Sequence, residues 1–367
     1  MKSRWRIPAL LACNAGWLAI GVAALELVFG DWRHPGKINR LNFLKNCSLQ
    51  YDVSNLYGDP DPVIRYTRDR YGLRGCFSQP GEIDILTVGG STTDQRMIRD
   101  GETWQDVLQD RFRQAGAPRI VANAGVDGQS TYGHIQNFHH WFPHVPGLKP
   151  RYILFYVGLN DFYKGEGYRF DRLLLEDPGG FSLQREIRDK SAIWNLVRIA
   201  RGTYAAMVVH QIGHRAVDFG KLAWTTEALQ SDYDFMDSRL EAYADRLRTL
   251  ADLSRDFGAI PIFVSQPSRR CRMGPRGIEG TAEVETYDSH AYNGVDYHHM
   301  KKRLDRVTQQ VAKEKDLLFV DLASGAGFED DDFYDFAHMT PRGARKIGSL
   351  LFEKLKPVVT EDGAASD

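Results

Sequence analysis

From Glu82 onward, short apolar runs alternate with stretches whose apolar residues recur every three or four positions. The runs are Ile83–Val88, Ile120–Ala122, Tyr152–Val157, Ile260–Val264 and Leu317–Val320. Each is short and built of β-branched or aromatic residues, as expected of a strand buried on both faces of a parallel sheet. Between them, Glu102–Gln114 places Trp104, Val107, Leu108 and Phe112 along one side. Tyr233–Phe257 repeats Leu240, Tyr243, Leu247 and Leu250, and Pro341–Leu355 carries Ile347, Leu350 and Leu351. The last helix has Thr340 as its cap and Pro341 at its first position. Strands alternating with helices predict an α/β fold of repeated βα units.

Three segments break that rhythm. Residues 162–232 form a long detour after the third strand, with Asp177-Pro178-Gly179-Gly180 inside it. Residues 268–295 form a second after the fourth strand, with Arg269, Arg270, Arg272 and Arg276. Inserts of this size are usually lids or substrate loops. Asp31 to Pro80 is polar, turn-rich and weakly periodic, and runs into Tyr71-Gly72-Leu73-Arg74-Gly75. The expected organisation is therefore an anchor over 1–30, an extended segment over 31–80, the main domain over 81–358 with those two inserts, and a disordered tail over 359–367.

The anchor is read from Ile7–Leu25, which holds no charge and follows Lys2, Arg4 and Arg6. As a helix it reaches about 28 Å, close to the hydrocarbon thickness of a bilayer. Gly21-Val22-Ala23 is a poor cleavage site, which favours a retained anchor over a removed signal peptide. The basic flank favours a cytoplasmic N-terminus and a periplasmic or otherwise extracytoplasmic body, although Arg33, Lys37, Arg40 and Lys45 dilute the asymmetry.

Charge and cysteine content narrow the function classes. Lys+Arg 47 against Asp+Glu 48 leaves a formal net charge of −1, so no field of one sign draws in nucleic acid. With four cysteines and no Cys-x-x-Cys, neither a disulfide scaffold nor a thiolate zinc site is expected. In an oxidising compartment a Cys47–Cys76 bridge stays open.

In an open parallel sheet, ligands bind beyond the carboxyl ends of the strands. There the chain places Gly89-Gly90-Ser91-Thr92, Asn123-Ala124-Gly125-Val126-Asp127-Gly128, Gly158-Leu159-Asn160-Asp161 and Asp335-Phe336-Ala337-His338. These parts suffice for acyl transfer. Ser91 is the candidate nucleophile, His338 its base and Asp335 the carboxylate that orients the imidazole. The Ser91 and Gly128 N–H groups and the Asn160 amide are the candidate oxyanion donors. Arg269 and Arg270, on the same edge, are candidate anchors for a substrate anion.

Taken together, these blocks resemble those of the SGNH hydrolases, or GDSL-type esterases, with Gly90 where many members carry aspartate. Tyr71-Gly72-Leu73-Arg74-Gly75 is similar to a segment that precedes the serine block in membrane-anchored bacterial members. The resemblance implies a flavodoxin-like three-layer α/β/α sandwich on a five-stranded parallel sheet. It implies metal- and cofactor-independent hydrolysis of an acyl ester, with O-acetyl on a cell-envelope or secreted carbohydrate as the substrate by analogy. Gly90 is expected to stand clear of the chemistry. The alternatives are an O-acyltransferase using the same residues and a non-catalytic carbohydrate-binding or assembly protein. Protein partners are not legible in the sequence.

Other signals point to the surface or the core. There is no P-loop and no Gly-x-Ser-x-Gly elbow. His139-His140 with His144, His210 with His214, and His298-His299 lack acidic partners, so packed or solvated faces are expected. Glu329-Asp330-Asp331-Asp332 reads as a solvated loop able to act on His338 electrostatically.

Overall fold

A computed structural model of the protein describes residues 6–30, 32, 38, 41–164, 171–173, 183, 187, 190–205, 214–275, 277–324 and 327–361. Helix α1 (Arg6–Phe29) comes first, then an antiparallel hairpin of β1 (Cys47–Asp52) and β2 (Val63–Arg68). The main unit follows with β3 (Ile85–Gly89), α2 (Ser91–Asp94), α3 (Trp104–Gln114), β4 (Val121–Asn123) and α4 (Thr131–His140). Next are β5 (Tyr152–Val157), α5 (Leu159–Tyr163), α6 (Ala192–Ala205), β6 (Trp224–Thr225), α7 (Asp237–Asp256) and β7 (Ile260–Ser265). Strands β8 (Cys271–Gly274), β9 (Gly277–Thr281), β10 (Glu285–Tyr287) and β11 (His290–Tyr292) then precede α8 (Gly294–Glu314), β12 (Leu318–Val320) and α9 (Pro341–Glu361).

The five strands expected from the sequence form one sheet in the order β12-β7-β5-β3-β4, and every pairing is parallel. Numbered among themselves they run 2-1-3-4-5, the flavodoxin-like order. Side chains on a strand alternate between faces, so each face carries its own core. Tyr152, Leu154 and Tyr156 face α3 and α9 together with Trp104, Phe112, Ile347 and Leu351. Ile153 and Phe155 face α4, α7 and α8 with Phe138, Leu247, Leu250 and Leu304. The result is the three-layer α/β/α sandwich that the family resemblance implied, built on the βα units read from the apolar runs.

The structure adds order where little was expected. The 31–80 segment holds the β1–β2 hairpin, whose Leu49, Tyr51, Ile64 and Tyr66 form a third buried cluster with Met97 and Tyr334. Within 268–295, β9 pairs with β8 on one side and with β6 on the other, and β10 pairs with β11. Asp177-Pro178-Gly179-Gly180, His210 and Arg276 lie outside the described residues. Among the described helices of more than two turns, α4, α6 and α8 were not read from the sequence. α4 buries His134 and Asn137 among polar neighbours, which hides its periodicity, while α8 carries a legible capping box between Asn293 and Asp296. α9 continues past Pro357 because Leu355 and Val359 are fully buried against the sheet, and packing holds the last turn. All four cysteines are free thiols, so Cys47 and Cys76 are not bridged.

α1 stands apart. Its Leu10–Phe29 stretch is long and apolar enough to cross a bilayer, and none of it is buried against the rest of the chain. A helix of this kind serves as a membrane anchor or a signal sequence.

The α3–α9 layer tolerates no extra volume at Gly348. A Cβ there would lie 2.6 Å from the Trp104 carbonyl oxygen and 2.7 Å from the Val107 Cβ. Gly348→Val is expected to destabilise the fold by about 1–3 kcal/mol through overpacking. Chemical denaturation should show this as a lower midpoint at an unchanged slope.

Candidate active site

Ser91 opens the short α2 turn directly after β3, and crowding explains the two glycines before it. A Cβ on Gly89 would lie 2.1 Å from Thr93 Oγ1 and 2.7 Å from the Tyr156 carbonyl. A Cβ on Gly90 would lie 2.1 Å from Asn160 Nδ2. The expectation that Gly90 stands clear of the site is therefore corrected: its missing side chain is what lets the Asn160 amide approach the serine turn.

That turn is held from behind. Asp94, at its end, is buried and accepts from Tyr66 Oη at 2.8 Å, Arg68 Nη2 at 2.6 Å and Arg96 Nη2 at 3.1 Å. Burial alone would raise the Asp94 carboxyl, but the Arg68 and Arg96 guanidiniums hold it below its ordinary value. Arg74 donates to the carbonyls of Asp94, Gln95 and Ile98 at 2.8, 2.9 and 2.6 Å. Gln266, just past β7, donates to Thr92 Oγ1 and accepts from the Leu159 N–H, both at 2.6 Å. It thus couples the serine turn to the start of α5.

Opposite Ser91, residues 333–339 close a loop through the bridge between Phe333 and Met339. Asp335 Oδ1 accepts from the N–H groups of Ala337 and His338 at 2.8 and 2.7 Å, which fixes the carboxylate. Its Oδ2 lies 2.7 Å from His338 Nδ1, and His338 Nε2 lies 2.8 Å from Ser91 Oγ. With Nδ1–H donating to Asp335, Nε2 is left to accept the hydrogen bond of the Ser91 hydroxyl. Burial pulls the His338 pKa down, yet the Asp335 charge and hydrogen bond, with Asp127 beyond, leave it raised above its ordinary value. Asp335 is lowered: burial pushes it up, and His338 with the two N–H donors outweighs that. The Tyr334 ring stacks on His338, with centroids 5.6 Å apart and planes at 8°.

Asn160 sits in the first turn of α5, after Gly158 at φ +114°. Its Nδ2 donates one hydrogen to the Gln129 carbonyl at 2.8 Å, leaving the other for a ligand. Gly128 occupies the left-handed region at φ +74°, and its carbonyl accepts from the Lys164 ammonium. All five residues expected at the sheet edge therefore have defined places beyond the strand ends.

The two arginines are placed differently. Arg269 lies against Asp330 and donates to the Phe328 carbonyl at 3.0 Å. Arg270 pairs with Glu285 at 2.7 Å and stacks over Phe336, 4.8 Å from its centroid. Both charges already have carboxylate partners. The acidic loop is tied to Arg342 and Lys346, and the carboxylates that act on His338 are Asp335 and Asp127 instead.

His214, expected on a packed or solvated face, lies against His338. Its ring centroid is 5.0 Å from that of His338, and its Nδ1 is 3.1 Å from Tyr334 Oη. His214, Asp335 and His338 offer donor atoms within 4.8 Å of one another, a set able to take a transition metal, although both His338 nitrogens are already hydrogen bonded. Among the described residues, His134 is the other histidine buried in this region. It faces Gln129, and burial pushes its pKa down to about 3.

Comparison with known proteins follows the same lines. A family model for the GDSL-like lipase/acylhydrolase family matches residues 87–277, which include Ser91, Gly128 and Asn160 but not Asp335 or His338. No curated protein matches the chain. Among solved structures, TesA is 15% identical, with coverage of 74% of this chain and 98% of that one and a TM-score of 0.40. A catalytic mutant of the acetylxylan esterase Axe2 from Geobacillus stearothermophilus is 12% identical, covering 76% and 95%, with a TM-score of 0.42. The psychrotrophic esterase EstA from Pseudoalteromonas sp. is 14% identical, covering 75% and 98%, with a TM-score of 0.39. Because the family model spans just over half of the 367 residues, the chain belongs to the GDSL-like lipase/acylhydrolase family, whose members act on ester bonds.

Proposed function

We propose that the protein is a serine esterase in which Ser91, His338 and Asp335 form the catalytic triad. The observation that carries this reading is the unbroken relay from Ser91 Oγ through His338 to Asp335, at 2.8 and 2.7 Å. His338 takes the Ser91 proton as Oγ attacks the ester carbonyl, and Asp335 stabilises the imidazolium that forms. The tetrahedral oxyanion is received by the Ser91 and Gly128 N–H groups and the free hydrogen of the Asn160 amide. His338 then gives its proton to the leaving alcohol. Water, deprotonated by the same imidazole, releases the acid from Ser91 and restores the enzyme.

The acyl group in this reading is small, with O-acetyl on a cell-envelope or secreted carbohydrate as the substrate class. Family likeness is the support for that choice. The paired charges of Arg269 and Arg270 give these residues a part in shaping the loops around the site rather than in free anion capture. α1 acts as a single membrane anchor with its N-terminus in the cytoplasm and the esterase domain outside. Support for that orientation is the basic flank of Lys2, Arg4 and Arg6.

Ser91→Ala is expected to abolish turnover of acyl-ester substrates while circular dichroism and thermal unfolding stay unchanged; near wild-type turnover would remove Ser91 from the mechanism. Asn160→Ala should lower kcat by about 10²–10³-fold with KM little altered, the usual loss for one oxyanion donor. A rise in KM at constant kcat would make Asn160 a recognition residue instead.

A pH–rate profile tests the pairing of His338 with Asp335. The base works only when neutral, and its pKa is raised, so the acid limb should lie above about 6.5, the ordinary histidine value. Asp335→Asn removes the charge that lifts it, so the limb should move to lower pH while the plateau rate falls by roughly 10³–10⁴-fold. An unmoved limb would take Asp335 out of the triad.

A further inference from the structure

α1 is joined to the body by a specific contact. Near its end, Glu26 turns its carboxylate onto the start of α6. The Ser191 hydroxyl donates to it at 2.7 Å, and the N–H groups of Ala192 and Ile193 at 2.9 and 3.3 Å. Trp32 Nε1 adds a fourth bond at 3.0 Å. The first N–H groups of a helix have no partner within it, and a carboxylate at that end also meets the positive end of the dipole. Glu26 thus caps α6 from a different helix. α6 begins where the apolar stretch of α1 ends.

One side of α6 also contacts β1. Another is apolar and uncovered. Ile193, Leu196, Val197 and Tyr204 recur at steps of three, four and seven residues and are 41%, 66%, 39% and 70% exposed. Trp194, 43% exposed, flanks them, and Arg201 is an exposed cation on the same helix. Large aliphatic residues with a tryptophan, a tyrosine and a basic residue make the composition of a helix that lies in a membrane interface. A folded surface in water seldom leaves such a face bare.

We propose that α6 is an interfacial helix resting on the bilayer that α1 crosses, its apolar face sunk into the boundary between headgroups and acyl chains. This rests on reading α1 as an anchor. Lipid is the occupant by continuity with α1. α1 is unburied along Leu10–Phe29, and Glu26 pins the start of α6 to the end of that span.

The full-length protein in phosphatidylcholine–phosphatidylglycerol nanodiscs tests this with acyl chains brominated at a shallow or a deep position. The fluorescence lost on Trp194→Phe reports Trp194, while Trp17 within α1 reports insertion of the anchor. The proposal expects Trp194 emission to be quenched more by the shallow label than by the deep one. Trp194 unquenched while Trp17 is quenched overturns it and leaves the anchor standing. If the uncovered face meets a second copy instead, Trp194 stays unquenched and each disc carries two chains, which also overturns it. Neither tryptophan quenched, with protein released from the discs, overturns the anchor and the proposal together.

Discussion

Two arginines and a tyrosine converge on Asp94, and the placement of Ser91 depends on that meeting. A carboxylate buried alone would be costly, and here Arg68, Arg96 and Tyr66 satisfy it. Breaking a buried pair of this kind costs about 3–5 kcal/mol because the remaining charge loses its partner. Arg68 and Tyr66 belong to β2, so the pair also joins the hairpin to the serine turn. Arg74 completes the clasp by gathering the carbonyls of Asp94, Gln95 and Ile98. The Ser91 turn is thus fixed in part by residues from outside the βα repeat.

The same hairpin supports His338. Tyr334 packs with Leu49, Tyr51, Ile64 and Tyr66 in one buried cluster, and its ring covers one face of His338. With Asp335 held by two backbone N–H groups, the imidazole is fixed both in its plane and across it. On this side of the site the Asp335 loop closes through the bridge between Phe333 and Met339. The tighter packing lies on the other side, where Gly89 and Gly90 allow close approach of Thr93 and Asn160.

What the sequence disclosed follows from the range of each interaction. The five strands carry apolar runs, and Ser91, Asn160 and Asp335 each follow a strand or open a turn, so their positions are legible locally. His338 and Ser91 are 247 residues apart, yet both lie beyond strand ends of one sheet, and topology brings them together. Arg68, Asp94 and Gln266 gave no such signal, because their partners come from separate parts of the chain. His214 sits in a segment without periodicity, and its contact with His338 depends on how that insert is laid over the sheet. The alternation of Leu49 with Tyr51 and of Ile64 with Tyr66 was a legible strand signal, masked by the polar residues around it.

The proposed mechanism requires one activated hydroxyl at the end of β3. An alkyl fluorophosphonate reacts with a serine only when a base draws off its proton, so peptide mass spectrometry of the treated full-length protein measures it directly. The account predicts stoichiometric phosphonylation of Ser91 in the wild-type protein and loss of that adduct in His338→Ala. Absence of labelling at Ser91, or equal labelling without His338, would contradict it.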